Sequence, residues 1–299
     1  MNGILLIDKP VDLTSAEVVR RVKRLLPRGA KVGHLGTLDP FATGLLPLCI
    51  GEGTKIAQFL NTADKRYEGV VQLGTATDTG DRTGAVVREA PVGSCDAAAL
   101  AEVCRRFSGE IRQRPPMYSA IKRDGVPLYR LARQGIEVER EERPVRIDQL
   151  ALEAIGANQL RLVVACSKGT YVRVLAEDIG TALGSVAHLS DLRRTGFGHF
   201  TIAQAVRLDA FDPAHPHGLV SARDALAHLP AVVLDAQGAL AARQGKTGVL
   251  ARLAGMTVSA AALVDVDGQL AAVAVRDRNQ WRYGRVFAPA FTSPACRGS

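Results

Sequence analysis

One stretch dominates the sequence. Residues 32–48 read Val32-Gly33-His34-Leu35-Gly36-Thr37-Leu38-Asp39-Pro40-Phe41-Ala42-Thr43-Gly44-Leu45-Leu46-Pro47-Leu48. Glycines on both sides of the Asp-Pro pair allow sharp bends, and Pro40 biases the backbone of Asp39 away from helix. The apolar run that follows indicates a strand over 45–50. The pattern predicts a shaped loop that presents Asp39, although an aspartate in a glycine-rich loop is most often a turn or cap residue.

Local signals also define the elements that precede this loop. An apolar run over 4–7, ended by Asp8-Lys9-Pro10, predicts a buried strand and a turn. The sequence Thr14-Ser15-Ala16-Glu17 is a capping box, and apolar residues then recur at helical spacing until Pro27. The basic residues of this predicted helix could contact phosphate or form a solvated face.

The elements after the loop are read from periodicity and turn residues. We predict strands over 70–73, 145–155 and 159–167, helices over 97–107 and 171–183, a polar loop over 75–83 and a break in regular structure at 112–116. Asp96 can cap the first of these helices, and Gly156-Ala157-Asn158 joins the last two strands as a hairpin. Strands interspersed with helices indicate an α+β domain on a mixed or antiparallel sheet.

The chain changes character near residue 229. A connector over 209–217 is rich in Pro and His, but His215 and His217 lack a partner at metal-ligand spacing. Beyond it, alternating apolar runs within 260–275 predict a small all-β domain, which carries eight basic residues against four aspartates. We therefore expect a larger domain over 1–228 and a second domain over 229–299.

Composition limits the classes of function. The 299 residues are 47% hydrophobic, enough for a packed core, and the formal charge of +8 favours an anionic partner, although such a charge also serves solubility alone. The cysteines form no C-x-x-C pair, which argues against a zinc site or a disulfide framework and favours a reducing cytoplasm; they are Cys49, Cys95, Cys104, Cys166 and Cys296. We predict neither a signal peptide nor a membrane span.

Segment 32–48 resembles the signature of the TruB-type pseudouridine synthases. Further stretches resemble motifs of that family and occur in the family's order; they are Gly3–Pro10, Lys65-Arg66-Tyr67, Thr77–Asp81, Pro116–Ala120 and Ser167–Arg173. Together they span roughly the first two thirds of the chain. The resemblance implies that one uridine in the T-loop of tRNA, conventionally numbered 55, is isomerised to pseudouridine: the base leaves through N1, turns, and rebonds through C5.

The resemblance also implies roles for individual residues. Asp39 matches the family's catalytic carboxylate, Arg173 the arginine that pairs with it, and Tyr67 the tyrosine that stacks on the base and removes the C5 proton. A nearby cation is needed because a carboxylate in a dry pocket tends to protonate. Whether the carboxylate attacks C1′, adds to uracil C6 or promotes a glycal is left open.

Other matched positions concern the RNA. Tyr171 and Leu192 match residues that wall the uracil pocket, and His34 matches the residue that fills the space left by the flipped base. Lys9 and Asp81 match positions that bind RNA or support the active-site loop. The basic stretch over about 112–135 matches an RNA-gripping insertion, and 229–299 takes the place of a PUA-like RNA-binding domain by position, charge and strand pattern.

An isomerisation transfers no group and has no net redox change, so no metal or organic cofactor is expected. The expected partner is the T-arm of tRNA, bound by a monomer without a protein partner. Two alternatives stay open: a tRNA-folding chaperone, and a guide-RNA-dependent synthase. The joint presence of Asp39, Tyr67 and Arg173 favours catalysis over the first, and the insertion favours a stand-alone enzyme over the second.

Overall fold

The computed structural model describes residues 1–288, so Cys296 and the end of the predicted second domain lie outside the described residues. The strands are β1 (Gly3–Lys9), β2 (Val32–His34), β3 (Thr43–Ile50), β4 (Lys65–Leu73), β5 (Thr75–Thr77), β6 (Val86–Glu89), β7 (Gly109–Gln113), β8 (Lys122–Arg123), β9 (Val126–Pro127), β10 (Arg143–Gly156), β11 (Gln159–Cys166), β12 (Ala187–Phe197), β13 (Phe200–Thr201), β14 (Val206–Arg207), β15 (Leu219–Val220), β16 (Ala231–Val233), β17 (Ala260–Val264), β18 (Leu270–Asp277) and β19 (Gln280–Val286). The α-helices are α1 (Ser15–Leu25), α2 (Ala57–Leu60), α3 (Ala97–Arg106), α4 (Leu128–Ala132), α5 (Val172–Ala182), α6 (Ala222–Ala225) and α7 (Ala236–Arg243), and 3-10 helices span Gly51–Ile56, Ile202–Gln204, Leu208–Ala210 and Thr247–Leu253.

A mixed sheet of 11 strands forms the larger part of the molecule. Its main path runs β14-β1-β3-β12-β4-β11-β10-β7, and β2, β13 and β15 pair outside that path. Strands β3 and β12 are parallel, whereas β12, β4, β11, β10 and β7 are antiparallel neighbours. The structure therefore confirms the α+β class with a mixed sheet.

Several elements form where the sequence predicted them. Thr14 caps α1 through a complete capping box, and the Asp96 side chain accepts a hydrogen bond from Ala99 N at the start of α3. Strands β10 and β11 form the predicted hairpin, with Gly156 opposite Gln159. These signals succeed because each involves residues only a few positions apart.

The structure corrects three boundaries. Strand β4 starts at Lys65 rather than at Val70, and the segment predicted as a polar loop starts as β5, which pairs with β6. The break predicted at 112–116 begins only after Gln113, because β7 continues to pair with β10 up to that residue. Strand pairing stabilises these polar stretches, whose apolar content alone is too low to indicate a strand.

The central strands are buried on both faces, and β1 shows this residue by residue. Leu5 and Ile7 belong to a core that contains residues of α1 and α5. Ile4 and Leu6 belong to a second core on the opposite face, which includes residues of β17 and β18. This two-sided burial explains the continuous apolar run at the start of the chain.

The C-terminal part forms a sheet of its own, in the order β16-β17-β18-β19. It is not wholly β, because α7 packs against it and shares a third core with β17 and β18. Asp235 caps α7 through a hydrogen bond that it accepts from Gly238 N, and alanine-rich sequence favours the helix. The alternating pattern that predicted the strands carries no signal for this helix.

Within residues 1–288, none of the helices combines the length and apolar character that crossing a membrane requires.

Candidate active site

A cavity of about 320 Å³ opens at the centre of the large sheet. Five of the predicted site residues meet in its wall, although they come from separate parts of the chain. They are Asp39, Tyr67, Tyr171, Arg173 and Leu192. Asp39 comes from the loop between β2 and β3, and the others from β4, β12 and the start of α5.

The loop that carries Asp39 is held on both sides of that residue. The Ser15 hydroxyl accepts a hydrogen bond from Leu38 N at 2.9 Å and donates one to Leu38 O at 3.2 Å. After the aspartate, Pro40 O accepts from Asp12 N at 2.8 Å. Because the backbone is tied before and after Asp39, its carboxylate is presented by a fixed turn.

Lys9 is part of the same support. Its side chain is fully buried, and Nζ donates to the carbonyl oxygens of Pro10 at 2.9 Å, Leu13 at 2.6 Å and Pro40 at 3.1 Å. Burial lowers the pKa of Lys9 to about 8, with opposing effects from the carboxylates of Asp12 and Asp39. Direct RNA contact by Lys9 stays a prediction; the side chain has no exposed surface here, and its three hydrogen bonds fit the other matched role, support of the loop.

Arg173 connects three segments around the cavity. Its Nε lies 3.0 Å from Asp39 Oδ2, and its two terminal nitrogens donate to Thr79 O at 2.6 Å and Tyr118 O at 2.8 Å. The side chain is only 5% exposed. A planar guanidinium suits this position because it can donate in three directions at once.

The surroundings of Asp39 act on its charge in opposite directions. Burial raises the pKa of the carboxyl above its usual range, the Arg173 guanidinium opposes that shift, and the carboxylate of Asp81 adds to it. About 38% of the side-chain surface is still open, on the side that lines the cavity. The open surface and the raised pKa are compatible because that surface faces a recess in the protein.

Asp81 lies behind Arg173 and outside the cavity wall. Its Oδ2 is 3.6 Å from Arg173 Nη1, while Oδ1 accepts from Thr79 Oγ1 and Thr83 N, each at 3.0 Å. Only 4% of the residue is exposed. A direct contact between Asp81 and RNA stays a prediction, and the geometry fits the alternative of supporting the active-site loop through Arg173.

Tyr67 and Leu192 come from neighbouring strands. Both are buried except where they reach the cavity. Burial raises the pKa of the Tyr67 hydroxyl, and the neighbouring Arg194 guanidinium opposes the shift. An ionisable carboxylate, a cation and a phenol around one recess can support nucleophilic or acid–base chemistry.

Tyr171 precedes α5 and is fixed through its backbone. Gln113 accepts a hydrogen bond from Tyr171 N at 3.0 Å and donates one to Tyr171 O at 3.3 Å. This amide is buried at the end of β7, in the segment that the sequence predicted to be irregular. No sequence pattern indicates this role of Gln113, because Gln113 and Tyr171 meet only through the pairing of strands that are distant along the chain.

His34 stands apart from the other predicted site residues. It lies on β2, half-buried, and it is not among the described residues that line the cavity. Burial lowers the pKa of its imidazole, and Nδ1 is buried without a hydrogen-bond partner in the described part of the chain. Its predicted role in base flipping stays a prediction.

Three basic residues in the cavity wall were not predicted as site residues: Lys65, Lys168 and Arg194. Lys65 donates from Nζ to Ala63 O at 2.6 Å and lies over the Phe197 ring, and burial lowers its pKa to about 8. Arg194 is fully buried on β12. The position of Arg194 two residues beyond Leu192 on the same strand was the available signal, because alternate residues of a strand share a face.

The predicted RNA-gripping insertion adjoins the cavity. Tyr118, Ser119 and Ala120, which precede β8, line the cavity wall. The segment then forms β8, β9 and α4, and its basic side chains are exposed; they are Lys122, Arg123, Arg130 and Arg133. Residues 1–288 contain no cluster of three or more His, Cys, Asp or Glu side chains that could hold a metal ion.

Comparison with known proteins identifies the family. Residues 23–172 match the model of the TruB family pseudouridylate synthase N-terminal domain, and residues 173–237 match that of the tRNA pseudouridylate synthase B C-terminal domain. The chain is 54% identical over 250 residues to tRNA pseudouridine synthase B of Azoarcus sp. (strain BH72), covering 82% of this chain and 83% of the relative. The protein of that name in Aromatoleum aromaticum is 50% identical over 273 residues, covering 90% and 86%.

Solved structures support the same fold. A chain in an H/ACA ribonucleoprotein bound to a substrate RNA containing 2′-deoxyuridine superposes with a TM-score of 0.69 and 23% identity, covering 96% of this chain and 85% of that one. Identity at that level speaks for the fold alone. The family matches and the two relatives go further, and with them the chain belongs to the TruB family of pseudouridylate synthases.

Proposed function

We propose that this chain converts one uridine in the T-loop of tRNA, at the position conventionally numbered 55, into pseudouridine. The observation that carries the proposal is the ion pair of Asp39 and Arg173 in the same cavity wall as Tyr67. The name tRNA pseudouridine synthase B, borne by the relatives, supports tRNA as the substrate. The T-loop and the single position are inferred from the motifs in the sequence.

Asp39 is the proposed catalytic carboxylate. It has to be ionised to attack C1′ or uracil C6, or to take a proton from the ribose. Burial and Asp81 work against ionisation, whereas the Arg173 guanidinium, with a smaller effect from Lys9, favours the charged form. When a bond forms at the carboxylate, its negative charge decreases, and Arg173 keeps its bonds to Thr79 O and Tyr118 O throughout.

Tyr67 is proposed to stack on the uracil and to take part in moving the C5 proton. Its ring lines the cavity together with Leu192 and Tyr171, and an aromatic ring is a platform on which a base can stack. A cavity of about 320 Å³ can hold one nucleoside that is turned out of its stack. His34 is proposed to occupy the space that the base leaves.

The supporting residues are proposed to act through the loop. Lys9 holds Pro40 O, directly after Asp39, and Asp81 lies against Arg173. Neither needs to contact RNA. We propose that the RNA is gripped by the exposed basic insertion over 112–135 and by a PUA-like domain over 229–299, with 1–228 as the catalytic domain and the monomer as the working unit.

The test is direct measurement of the product. Wild-type protein and Asp39→Asn are incubated with unmodified tRNA transcript, and pseudouridine is mapped with a base-selective chemical adduct, because an isomer has unchanged mass. The wild type is expected to modify the T-loop uridine and Asp39→Asn to leave it unmodified. Asp209→Asn, which changes an exposed aspartate outside the cavity wall, the insertion and the C-terminal domain, is the matched control and is expected to keep full activity.

The outcomes separate the alternatives. A wild type that binds and refolds tRNA without forming pseudouridine would support the chaperone. Modification of ribosomal RNA that requires an added guide RNA would support the guide-dependent synthase. If Asp39→Asn retained wild-type activity, the assigned carboxylate would be wrong even though the family is right.

A further inference from the structure

Arg194 is the buried cation of the cavity that the proposed mechanism has not used. In the pairing of β12 with β4 it stands directly opposite Tyr67, so the two side chains share one face of the sheet. It is fully buried and lines the cavity, and the neighbouring Gly44 has no side chain to displace it. A β-carbon at Gly44 would overlap the carbonyl oxygen of Arg194.

The hydrogen bonds of Arg194 leave part of its guanidinium free. Nε donates to Leu45 O at 2.7 Å and Nη2 donates to Gly36 O at 2.9 Å, whereas Nη1 has no hydrogen-bond partner among residues 1–288. The ion pairs of the described chain do not include Arg194. A buried charge without a carboxylate is costly, which indicates that the position serves more than packing.

The neighbours of this guanidinium are a phenol and other cations. Tyr67 is the group whose negative form it favours, and it lowers the pKa of that hydroxyl against the effect of burial. Lys65 and His34 are nearby basic groups, and the charge of Arg194 lowers the pKa of each because it disfavours their protonated forms. The local field therefore favours negative charge, and Tyr67 is the described acidic group opposite it.

We propose that Arg194 is a positioning residue that fixes the Tyr67 hydroxyl and stabilises negative charge on its oxygen while the C5 proton is transferred. This inference rests on the proposed function. Through Gly36 O the same guanidinium also holds the loop that carries Asp39. Arg194 thus connects the two groups that act at different stages of the reaction.

The proton transfer is balanced within the residue. Once the base has rebonded through C5, Tyr67 passes its hydroxyl proton to uracil N1, directly or through water. The phenolate oxygen then accepts the proton from C5, the electron pair of that C–H bond restores the ring, and the hydroxyl is regenerated. The negative charge exists only between these two transfers, when the guanidinium stabilises it.

The experiment compares Arg194→Gln, Arg194→Lys and Tyr67→Phe in single-turnover reactions on tRNA transcripts. Three substrates are used: uridine, uridine deuterated at C5, and 5-fluorouridine. Deuterium slows the step that removes the C5 proton, and fluorine leaves no proton there to remove. Arg193→Gln is the matched control. Arg193 directly precedes Arg194 on β12, but its side chain pairs with Asp8 at 2.7 Å and does not line the cavity.

Arg194→Gln is expected to convert uridine about 100-fold more slowly than wild type, a typical loss for one donor to a developing anion. Its deuterium isotope effect should rise, while rearrangement of 5-fluorouridine stays near the wild-type rate. Arg194→Lys keeps the positive charge, so its rate of uridine conversion should lie between those of wild type and Arg194→Gln. In the Tyr67→Phe background, Arg194→Gln should cause no further loss.

Equal slowing of all three substrates, with an unchanged isotope effect, would assign Arg194 to folding or base binding and overturn the proposal. An unaffected rate would overturn it too. Thermal melting and tRNA affinity identify a misfolded Arg194→Gln protein. If that variant is misfolded, the isotope effect of Arg194→Lys tests the proposal in its place, and an unchanged isotope effect overturns it. A wild type that leaves uridine unmodified would refute the proposed function itself, before any variant is compared.

Discussion

Two buried arginines face the same cavity, and they differ in what surrounds them. Arg173 has two carboxylates within 4 Å and two backbone acceptors, so its charge is fully matched. Arg194 has two backbone acceptors, no carboxylate, and one terminal nitrogen without a partner in the described structure. In the proposed mechanism, Arg173 favours the charged form of Asp39 from the start of the reaction, whereas Arg194 stabilises a negative charge that forms later on Tyr67.

The largest expected effect comes from Arg173→Met. The change leaves Asp39 and Asp81 without their shared cation, and burial then raises the pKa of Asp39 without the opposing effect of Arg173. We expect single-turnover conversion to fall by about 10³-fold, in line with breaking a buried ion pair. Arg20→Met, on the exposed face of α1, is the control for loss of one positive charge. A loss smaller than that of Arg194→Gln would reverse the comparison.

Asp81→Asn is expected to have a smaller effect and a defined pH signature. Asp81 raises the pKa of Asp39, so removing its charge lowers that pKa and leaves Asp39 ionised at lower pH. The acid limb of the rate profile should therefore move to lower pH, while the rate on the plateau falls about tenfold because Arg173 is less firmly held. An acid limb that moved to higher pH would contradict the assignment of that limb to Asp39.

Lys9→Met tests the support of the loop rather than either arginine. Pro10 O, Leu13 O and Pro40 O lose a donor, but a buried charge is also removed. These terms offset, so the free energy of unfolding should change by less than about 2 kcal/mol. Conversion should slow about fivefold because Asp39 is less well positioned. Chemical denaturation and single-turnover rates check the two parts, and Lys23→Met on the surface of α1 is the control.

The contrast between the arginines also marks the limit of prediction from sequence. Arg173 follows a recognisable motif at the start of a helix, and Asp39 lies in a stretch whose glycines and proline announce a shaped loop. The capping box and the hairpin turn were equally predictable, because the residues that form each of them lie close to one another along the chain. The matched motifs therefore predicted the part of the cavity wall that holds Asp39 and Arg173.

The pairing of Tyr67 with Arg194 could not be predicted from the sequence in the same way. The pairing of β12 with β4 has register shifts between Leu189 and Asp191 and between Arg194 and Gly196. Neither shift lies between Leu192 and Arg194, so alternation places these two residues on one face, but the sequence does not indicate the register and therefore could not identify Tyr67 as the residue opposite Arg194. Burial of Lys9 was hidden for a similar reason, because a lysine before a proline gives no sign of three carbonyls around it.

The smallest expected effect concerns Lys65, another cation of the cavity wall. Its pKa is lowered to about 8, so it loses its charge as pH rises from 7 to 9. If the charged form attracts RNA, Lys65→Gln should weaken tRNA binding about threefold at pH 7, the contribution of one exchangeable contact among many. Fluorescence anisotropy with a labelled T-arm measures the affinity.

The same titration distinguishes Lys65 from the arginines. Wild type and Lys65→Gln should bind equally at pH 9, because the lysine is then neutral, whereas an arginine keeps its charge over that range. Lys168→Gln is the control for the loss of a different lysine from the same cavity wall. A difference between wild type and Lys65→Gln that persisted at pH 9 would mean that Lys65 acts through its bond to Ala63 O and its contact with Phe197 rather than through charge.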